Sequence, residues 1–462
     1  MGRTVYAEDS VLTYLKSLKR TDGYTIGLIL GQSTAAQKDF VVHLARTPPP
    51  ATKDVIEESM ISSTSNAQKE TEAKYIKSIN DIPETWVADH AKHVTRMLPG
   101  GMWVLGIFVV GPDDILSDSN SIIRLRSVIV AIYKHLALNK FLYGNTDQEN
   151  LILHFNSLTE KITCKSLDAN LGGILKPAEW KFQAKATKWH QLEARVDFDR
   201  LFPIPADDIS TTLKKQLQGI LARISETVDS ALVIIEGEPR SPDDAVEVVG
   251  KKKKDRKEIK NKDDAGNADK TIQVSMYIPC PKNPTSDILI TSCSATMRLV
   301  GQVVSRTFVH QKATIQEATV AVKQDVMRSL ASRLEMHWDS LIEEENGSPE
   351  ENVTLHEPPR RVLVALPQSR VTLSDYLFPG EGPQEALVSL QELLDLEMQE
   401  SSVQKELELQ ADPSEFYLQN TVDTAVVDNS EDPSQDQQFV VYMAGLSIAI
   451  FVLIAAIVAQ LY

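Results

Sequence analysis

Cysteine is nearly missing from this chain, with only Cys164, Cys280 and Cys293 in 462 residues. Three thiols at irregular spacing build neither a disulfide framework nor a four-ligand zinc site, and they fit a reducing compartment. An excess of positive charge is missing as well. The formal charge is −16, and the segment from Glu381 to Gln438 holds fifteen Asp or Glu against the single Lys405, so it carries −14 of it. The remaining body is nearly balanced, which excludes the electrostatic footprint of a nucleic-acid-binding protein. The first twenty residues have no apolar run between a basic start and a small-residue cleavage site, so no secretory signal is read. Gly2 is followed at position six by Tyr6, where a myristoylation motif wants Ser or Thr.

Catalytic patterns are equally scarce. A phosphate-cradling loop needs glycines at fixed spacing with a following lysine, and neither "GLILG" nor "PGGMWVLG" provides it. A reactive cysteine needs a helix N-terminus or a basic partner, which Cys280, between two prolines, and Cys293, inside a strand-like run, do not offer. The nearest approach to a metal set is Asp89, His90 and His93 in "ADHAKHV". The two histidines share a helix face at i, i+3, but no third ligand or base accompanies them, and they read as ordinary helix histidines. No catalytic, metal-ligating or cofactor-binding residue is therefore assigned, and no cofactor is expected.

What is present is ordinary globular material, 42% hydrophobic and 24% charged, in a chain long enough for two or three domains. Its longest apolar run is Phe439–Ala459, twenty-one uncharged residues that as a helix would measure ~31 Å, about the thickness of a hydrocarbon core. A single transmembrane helix is expected over 439–461, a tail anchor that leaves the bulk of the chain cytosolic. The sequons at Asn346 and Asn352 should then stay unglycosylated. Gly445 and Ala449 have small-xxx-small spacing, which carries little weight for pairing of spans. The other greasy stretch, Met102–Val110, lies between Pro-Gly-Gly and Gly-Pro-Asp-Asp. At nine residues it is ~14 Å as a helix, half a membrane, and it fits a strand buried on both faces.

The organisation read along the chain is mixed α/β. One amphipathic helix is expected over Tyr6–Lys19 and a strand pair in "YTIGLILGQ" and "DFVVHLART". A polar insertion over 52–80 follows, then a helix over Asp81–Leu98, the apolar strand and a helix over Ser117–Leu138. Strands at "LILHFN", "KITCKS" and "WHQLEARVDFDRLFPIP" flank a turn-like "LGGILKPAEWKFQ". A helix over Ser210–Ile235 runs into "ALVIIEG". A charged, disordered insertion over 236–270 includes Lys251–Lys257, whose reading as a nuclear-localisation signal conflicts with a membrane tail. Further strands lie in "TIQVSMYIP", "ILITSCSATMRLVGQVVSRTFVH" and "RRVLVALP", with a long helix over Ala318–Ile342. An acidic amphipathic helix over Gln384–Leu409 and a solvated linker complete the chain.

The blocks "WVADHAKHVTRMLPGGMWVLGIFVV", "KPAEWKFQ", "AVKQDVMRSLASRLE" and "PPRRVLVALPQSRVTLSDYLF", followed by the apolar tail, resemble the odorant response abnormal protein 4 family. The resemblance implies a non-enzymatic, single-span endoplasmic reticulum membrane adaptor or chaperone. Its implied partners are seven-helix G-protein-coupled receptors and the protease specific for the ubiquitin-fold modifier. The N-terminal region also looks like an MPN domain, whose active zinc isopeptidases carry a Glu and an H-x-H pair. Here the corresponding strand, "VLGIFVVG", is apolar, which implies a catalytically silent relative; an active metal-dependent isopeptidase of this type is the alternative. The expected domains are an MPN-like α/β domain over 1–150, a second mixed α/β domain over 151–380, the acidic helix and linker over 381–438, and the span over 439–461.

Overall fold

The computed structural model describes residues 2–20, 22–34, 36–49, 76–143, 149–168, 175–205, 212–246, 271–278, 293–344, 357–367 and 369–408. The apolar stretch 439–461 expected to span a membrane, the sequons, the basic cluster, Cys280 and the core of both polar insertions lie outside the described residues. Among the described residues no helix is long and apolar enough to cross a membrane. The contact network gathers Met1–Leu409 into one compact unit. Its described part contains six α-helices and three sheets, a mixed α/β architecture.

The first sheet is a closed seven-stranded barrel, in the order β1 (Arg3–Glu8), β3 (Lys38–Arg46), β2 (Thr25–Ser33), β4 (Trp103–Gly111), β5 (Glu149–Asn156), β6 (Ile162–Asp168), β7 (Lys176–Gln183). It closes where β1 runs parallel to β7 over Arg3–Glu8 and Ala178–Gln183, which removes the open edges that sheets must otherwise protect. Helix α1 (Asp9–Ser17) contributes Val11 and Leu15 to the same core as Ile29, Phe108 and Phe155. Within the barrel Arg3 meets Asp39, with Nε to Oδ2 at 2.5 Å, and donates through Nη1 to the Glu149 carbonyl at 2.6 Å, tying β1, β3 and β5 together.

The Met102–Val110 run is barrel interior and barrel wall at once. Leu105 through Gly111 are all buried. Leu105, Phe108 and Val110 belong to the core shared with α1, whereas Ile107 and Val109 face the core under α2 (Glu84–Met97) and α3 (Ser119–Ala137). A strand covered on both faces reads as continuous grease.

The second sheet, β11 (Cys293–His310), β8 (Trp189–Pro205), β10 (Ile272–Tyr277) and β9 (Leu232–Ile235), is dominated by the long antiparallel pair of β8 and β11. Helices α4 (Leu213–Ser230) and α5 (Ile315–Glu344) share cores with it, through Ile220, Ile224, Val326 and Leu330 against Phe198, Phe202 and Val303. The third sheet is β13 (Thr372–Leu377), β12 (Arg360–Ala365) and β14 (Val403–Gln404). With α6 (Pro383–Leu394) it joins the core on the outside of the barrel, where Val364, Leu373, Leu390 and Leu394 pack with Val94, Met97 and Leu98.

Several sequence expectations shift here. The barrel continues past residue 150, because β5 pairs in parallel with β4 and carries β6 and β7 with it. The stretch Tyr6–Lys19 is a strand followed by a helix of nine residues. "KPAEWKFQ" is a strand rather than a turn, with Pro177 near its start, where the ladder tolerates a missing donor. The acidic helix ends at Leu394 instead of running to Leu409. Asp395 turns left-handed at φ 58°, and the chain returns through β14 to the third sheet. That helix is packed into the unit rather than standing apart in a separate acidic segment.

Candidate functional site

The Pro-Gly-Gly turn is the place where the structure concentrates its polar chemistry. Met102 donates its N–H to the Pro99 carbonyl at 3.2 Å, closing a four-residue turn whose third residue, Gly101, has φ +81°. That conformation is the one a glycine adopts without strain. Gly100 serves closeness instead: a Cβ there would meet the Ala321 carbonyl, Thr307 Oγ1 and Asp325 Cβ of the facing elements. The turn bridges to β11, where Phe308 donates to the Gly100 carbonyl at 3.1 Å. Gln32 on β2 spans the same seam. Its Nε2 donates to the carbonyls of Gly101 (2.8 Å) and Phe308 (3.0 Å), and its Oε1 accepts from the His310 N–H (2.8 Å).

Beneath the turn lies a buried ionic knot. Asp325, on α5, accepts a forked pair from Arg361 of β12 (Nη1 to Oδ2 2.7 Å, Nη2 to Oδ1 2.9 Å). It also takes the backbone N–H groups of Gly100 (2.7 Å) and Arg306 (3.0 Å). Arg361 further donates to Ser374 Oγ at 2.8 Å and to the Val304 carbonyl at 3.1 Å. Burial alone would lower its pKa, yet the carboxylate beside it raises the pKa above the ordinary guanidinium value. One turn along α5, Arg328 is 1% exposed. Its Nη1 donates to the carbonyls of Leu98 (2.9 Å), Pro99 (3.1 Å) and Met102 (3.2 Å), and its Nε to that of Leu142 (3.2 Å). Its guanidinium lies 4.9 Å from the Trp103 ring centroid. Burial drops its pKa to about 10, which leaves it charged at neutral pH. Glu408 completes the knot, accepting from Arg333 at 2.5 Å and from the Val304 N–H at 3.0 Å.

These residues come from distant blocks of the sequence: Gly100 from the first motif, Asp325 and Arg328 from "AVKQDVMRSLASRLE", Arg361 and Ser374 from "PPRRVLVALPQSRVTLSDYLF". All five are buried. A carboxylate whose two oxygens accept four protein donors between them holds backbone in place; it has no free lone pair to offer a substrate.

A second polar locus grips the C-terminus of α6. His43 Nε2 reaches the Leu394 carbonyl at 2.8 Å and His90 Nε2 the Leu393 carbonyl at 2.7 Å, while His90 Nδ1 lies 3.0 Å from Thr47 Oγ1. Arg46 pairs with Asp395 at 3.0 Å, and the Tyr14 hydroxyl donates to Asp395 at 3.0 Å. Desolvation lowers both histidine pKa values, that of His90 to about 4, so both rings are neutral and each donates one N–H to a helix-end carbonyl. Of the candidates considered for metal binding, His90 is therefore a buried clamp, whereas His93, three residues along the helix, is exposed. Cys164 is buried on β6 and its thiol is pushed up to about 12, chiefly by desolvation, the opposite of an activated nucleophile. Among the described residues no group of three or more His, Cys, Asp or Glu could hold a metal ion. On β4 a side chain at position 111 would collide with the Tyr24 ring, whose hydroxyl is engaged by Asp113.

A family model described as odorant response abnormal 4-like matches residues 27–405. The chain belongs to this family. Its relatives include the human protein odr-4 homolog, 30% identical over 95% of this chain and 92% of that protein. The odorant response abnormal protein 4 of Caenorhabditis elegans is 23% identical over 77% of this chain and 72% of that protein. Among solved structures, UfSP from C. elegans aligns at a TM-score of 0.42 and 11% identity, covering 86% of this chain and 57% of that one. The matched range begins in β2 and ends one residue after β14, so it takes in the Pro-Gly-Gly turn, Asp325, Arg328, Arg361 and the α6 clamp. Asp325 and Arg328 stand in a block that carries other charges, Lys323, Arg333 and Glu335, so no local pattern marked these two as the fully buried ones.

Proposed function

We propose that this protein is a non-enzymatic adaptor with chaperone character that assists delivery of seven-helix receptors of the odorant type. It is held at the endoplasmic reticulum membrane through the apolar stretch 439–461, with the folded unit in the cytosol, and there it recruits the protease specific for the ubiquitin-fold modifier. One observation carries the reading. The polar residues of the family motifs converge on an enclosed knot that joins barrel, long helix and third sheet, so they are invested in a rigid body with surfaces to offer rather than in an accessible reacting centre. The odorant-response names of the relatives supply the receptor class. The apolar strand β4 supports an MPN-like unit without isopeptidase chemistry.

The test is a rescue experiment. Cells lacking the protein should deliver less of a seven-helix odorant receptor to their surface, and the full chain should restore delivery. A chain ending at Gln438 should leave the membrane fraction and fail to restore it. Full rescue by that truncated chain, or zinc bound stoichiometrically by the full chain together with isopeptidase activity, would contradict the proposal.

A further inference from the structure

Between the end of α3 and the facing sides of α4 and α5 lies a cleft of about 340 Å³, within the roughly 300–1,000 Å³ range of small-ligand sites. Its floor is apolar: Leu142, Leu217, Leu221 and Leu334 are buried, and Trp338 closes one side half-buried. Leu138 stands at the mouth at 81% exposure, an apolar side chain that the folded unit leaves in water.

The rim is charged with one bias. Glu335 is the carboxylate lining it, and its oxygens are already occupied: Lys92 binds Oε1 at 2.6 Å, Arg96 binds Oε2 at 2.9 Å, and Asn139 donates to Oε2 at 3.4 Å. Desolvation opposes its ionisation, but the Arg96 and Lys92 cations lower its pKa below the ordinary carboxylate value. Two cations against one carboxylate leave the triad with a net positive charge. His135, also on the rim, meets Asp89 at 3.1 Å. Lys214, exposed in the first turn of α4 and without an ion-pair partner among the described residues, adds an ammonium at the end of a helix whose N-cap, Thr212, makes no side-chain cap bond, which is the positive end of the helix dipole.

We propose that this cleft binds a single-chain anionic amphiphile, its hydrocarbon tail against the leucine floor and Trp338, its carboxylate or phosphate head between Lys214 and the Lys92–Glu335 pair. The charged rim of the cleft shares no side chain with the Asp325 knot or the α6 clamp, and the assignment does not rest on the adaptor reading. A cationic head is disfavoured because Glu335, the carboxylate lining the cleft, is already held by Lys92 and Arg96, and an uncharged tail lacks the partner for Lys214.

The experiment uses the full chain in phospholipid nanodiscs with two photoreactive twelve-carbon probes, a dodecanoate and a dodecylammonium, each with a diazirine near its tail, and maps cross-links by mass spectrometry. The dodecanoate probe should mark α4 around Leu217–Leu221 and α5 around Leu334–Trp338, in excess over the ammonium probe. Lys214→Glu should cut that labelling about threefold, the scale of one partly exposed ion pair, and Leu138→Asp, at an exposed position, should weaken it too. Equal labelling by both probes, labelling of Lys214→Glu at the wild-type level, or absence of cross-links from both helices would each overturn the assignment.

Discussion

Asp325 and Arg361, thirty-six residues apart, form a forked ion pair that is almost wholly out of water, with side chains 0% and 3% exposed. Removing one partner of such a pair leaves an uncompensated buried charge at a cost of about 3–5 kcal/mol, whereas replacing both by apolar groups is far milder. Asp325→Asn should therefore destabilise the protein by about that amount in a denaturant titration, and Asp325→Leu with Arg361→Met should recover a large part. A loss under about 1 kcal/mol for the single variant would mean the knot does not hold the parts together.

The Pro-Gly-Gly turn makes a separate forecast. Neither Gly100 nor Gly101 has space for a Cβ, and Gly101 in addition adopts a left-handed conformation, so both positions should resist substitution. Gly101→Asn should be tolerated better than Gly101→Val, because asparagine enters the left-handed region far more readily than a β-branched residue. Gly100→Ala and Gly101→Ala should both destabilise, the first because its methyl presses on Ala321, Thr307 and Asp325, the second because its methyl presses on the Phe308 carbonyl in a left-handed conformation. Melting temperatures of the four variants check this; a wild-type value for either alanine variant, or Gly101→Val above Gly101→Asn, would contradict the turn geometry.

Stability should also fall in mild acid. His43 and His90 have folded-state pKa values below the ordinary 6.5, His90 near 4, because burial disfavours the cation. The unfolded chain thus takes up protons first. Their contribution is complete above about pH 6.5 and is lost as the pH falls toward 4, with His90 accounting for up to about 3 kcal/mol. Asp395, Arg46 and Tyr14 face His43 across the α6 terminus and Thr47 faces His90, so His90→Gln tests one ring without touching the others. That variant should flatten the stability profile between pH 4 and 6.5; an unchanged slope would show that His90 does not titrate there.

How much of this was legible in the sequence depends on where the signal resides. Met102–Val110 announced itself as a doubly covered strand because grease without periodicity has few other soluble uses. Strand β1 did not, because one of its inward positions is Arg3, whose partners, Asp39 and the Glu149 carbonyl among them, are far away in the chain. Strand β7 hid behind Pro177 and alternating charges, and only closure onto β1 reveals its inward Trp180 and Phe182. The helix beginning at Pro383 looked longer than it is because Leu394 and Met398 keep helical spacing across Asp395. What ends it is the grip of Tyr14 and Arg46, tertiary contacts no local pattern contains. The convergence of Gly100, Asp325 and Arg361 was not readable, since buried charges reveal their partners only in three dimensions.

Topology offers a further check on the proposed arrangement. With the folded unit in the cytosol, the acceptors Asn346 and Asn352 should carry no glycan in cells, and treatment with a glycosidase should leave the electrophoretic mobility unchanged. A mobility shift would place the folded unit on the lumenal side.

The most direct measurement of the adaptor claim is affinity purification of the full chain from detergent-solubilised membranes, with quantification of what accompanies it. The account predicts a seven-helix receptor or the ubiquitin-fold-modifier protease in near-stoichiometric amount, retained by the wild-type chain and lost with Asp325→Asn as the scaffold loosens. Recovery of the chain alone under conditions that preserve known receptor complexes, or equal recovery of partners by the loosened variant, would contradict it.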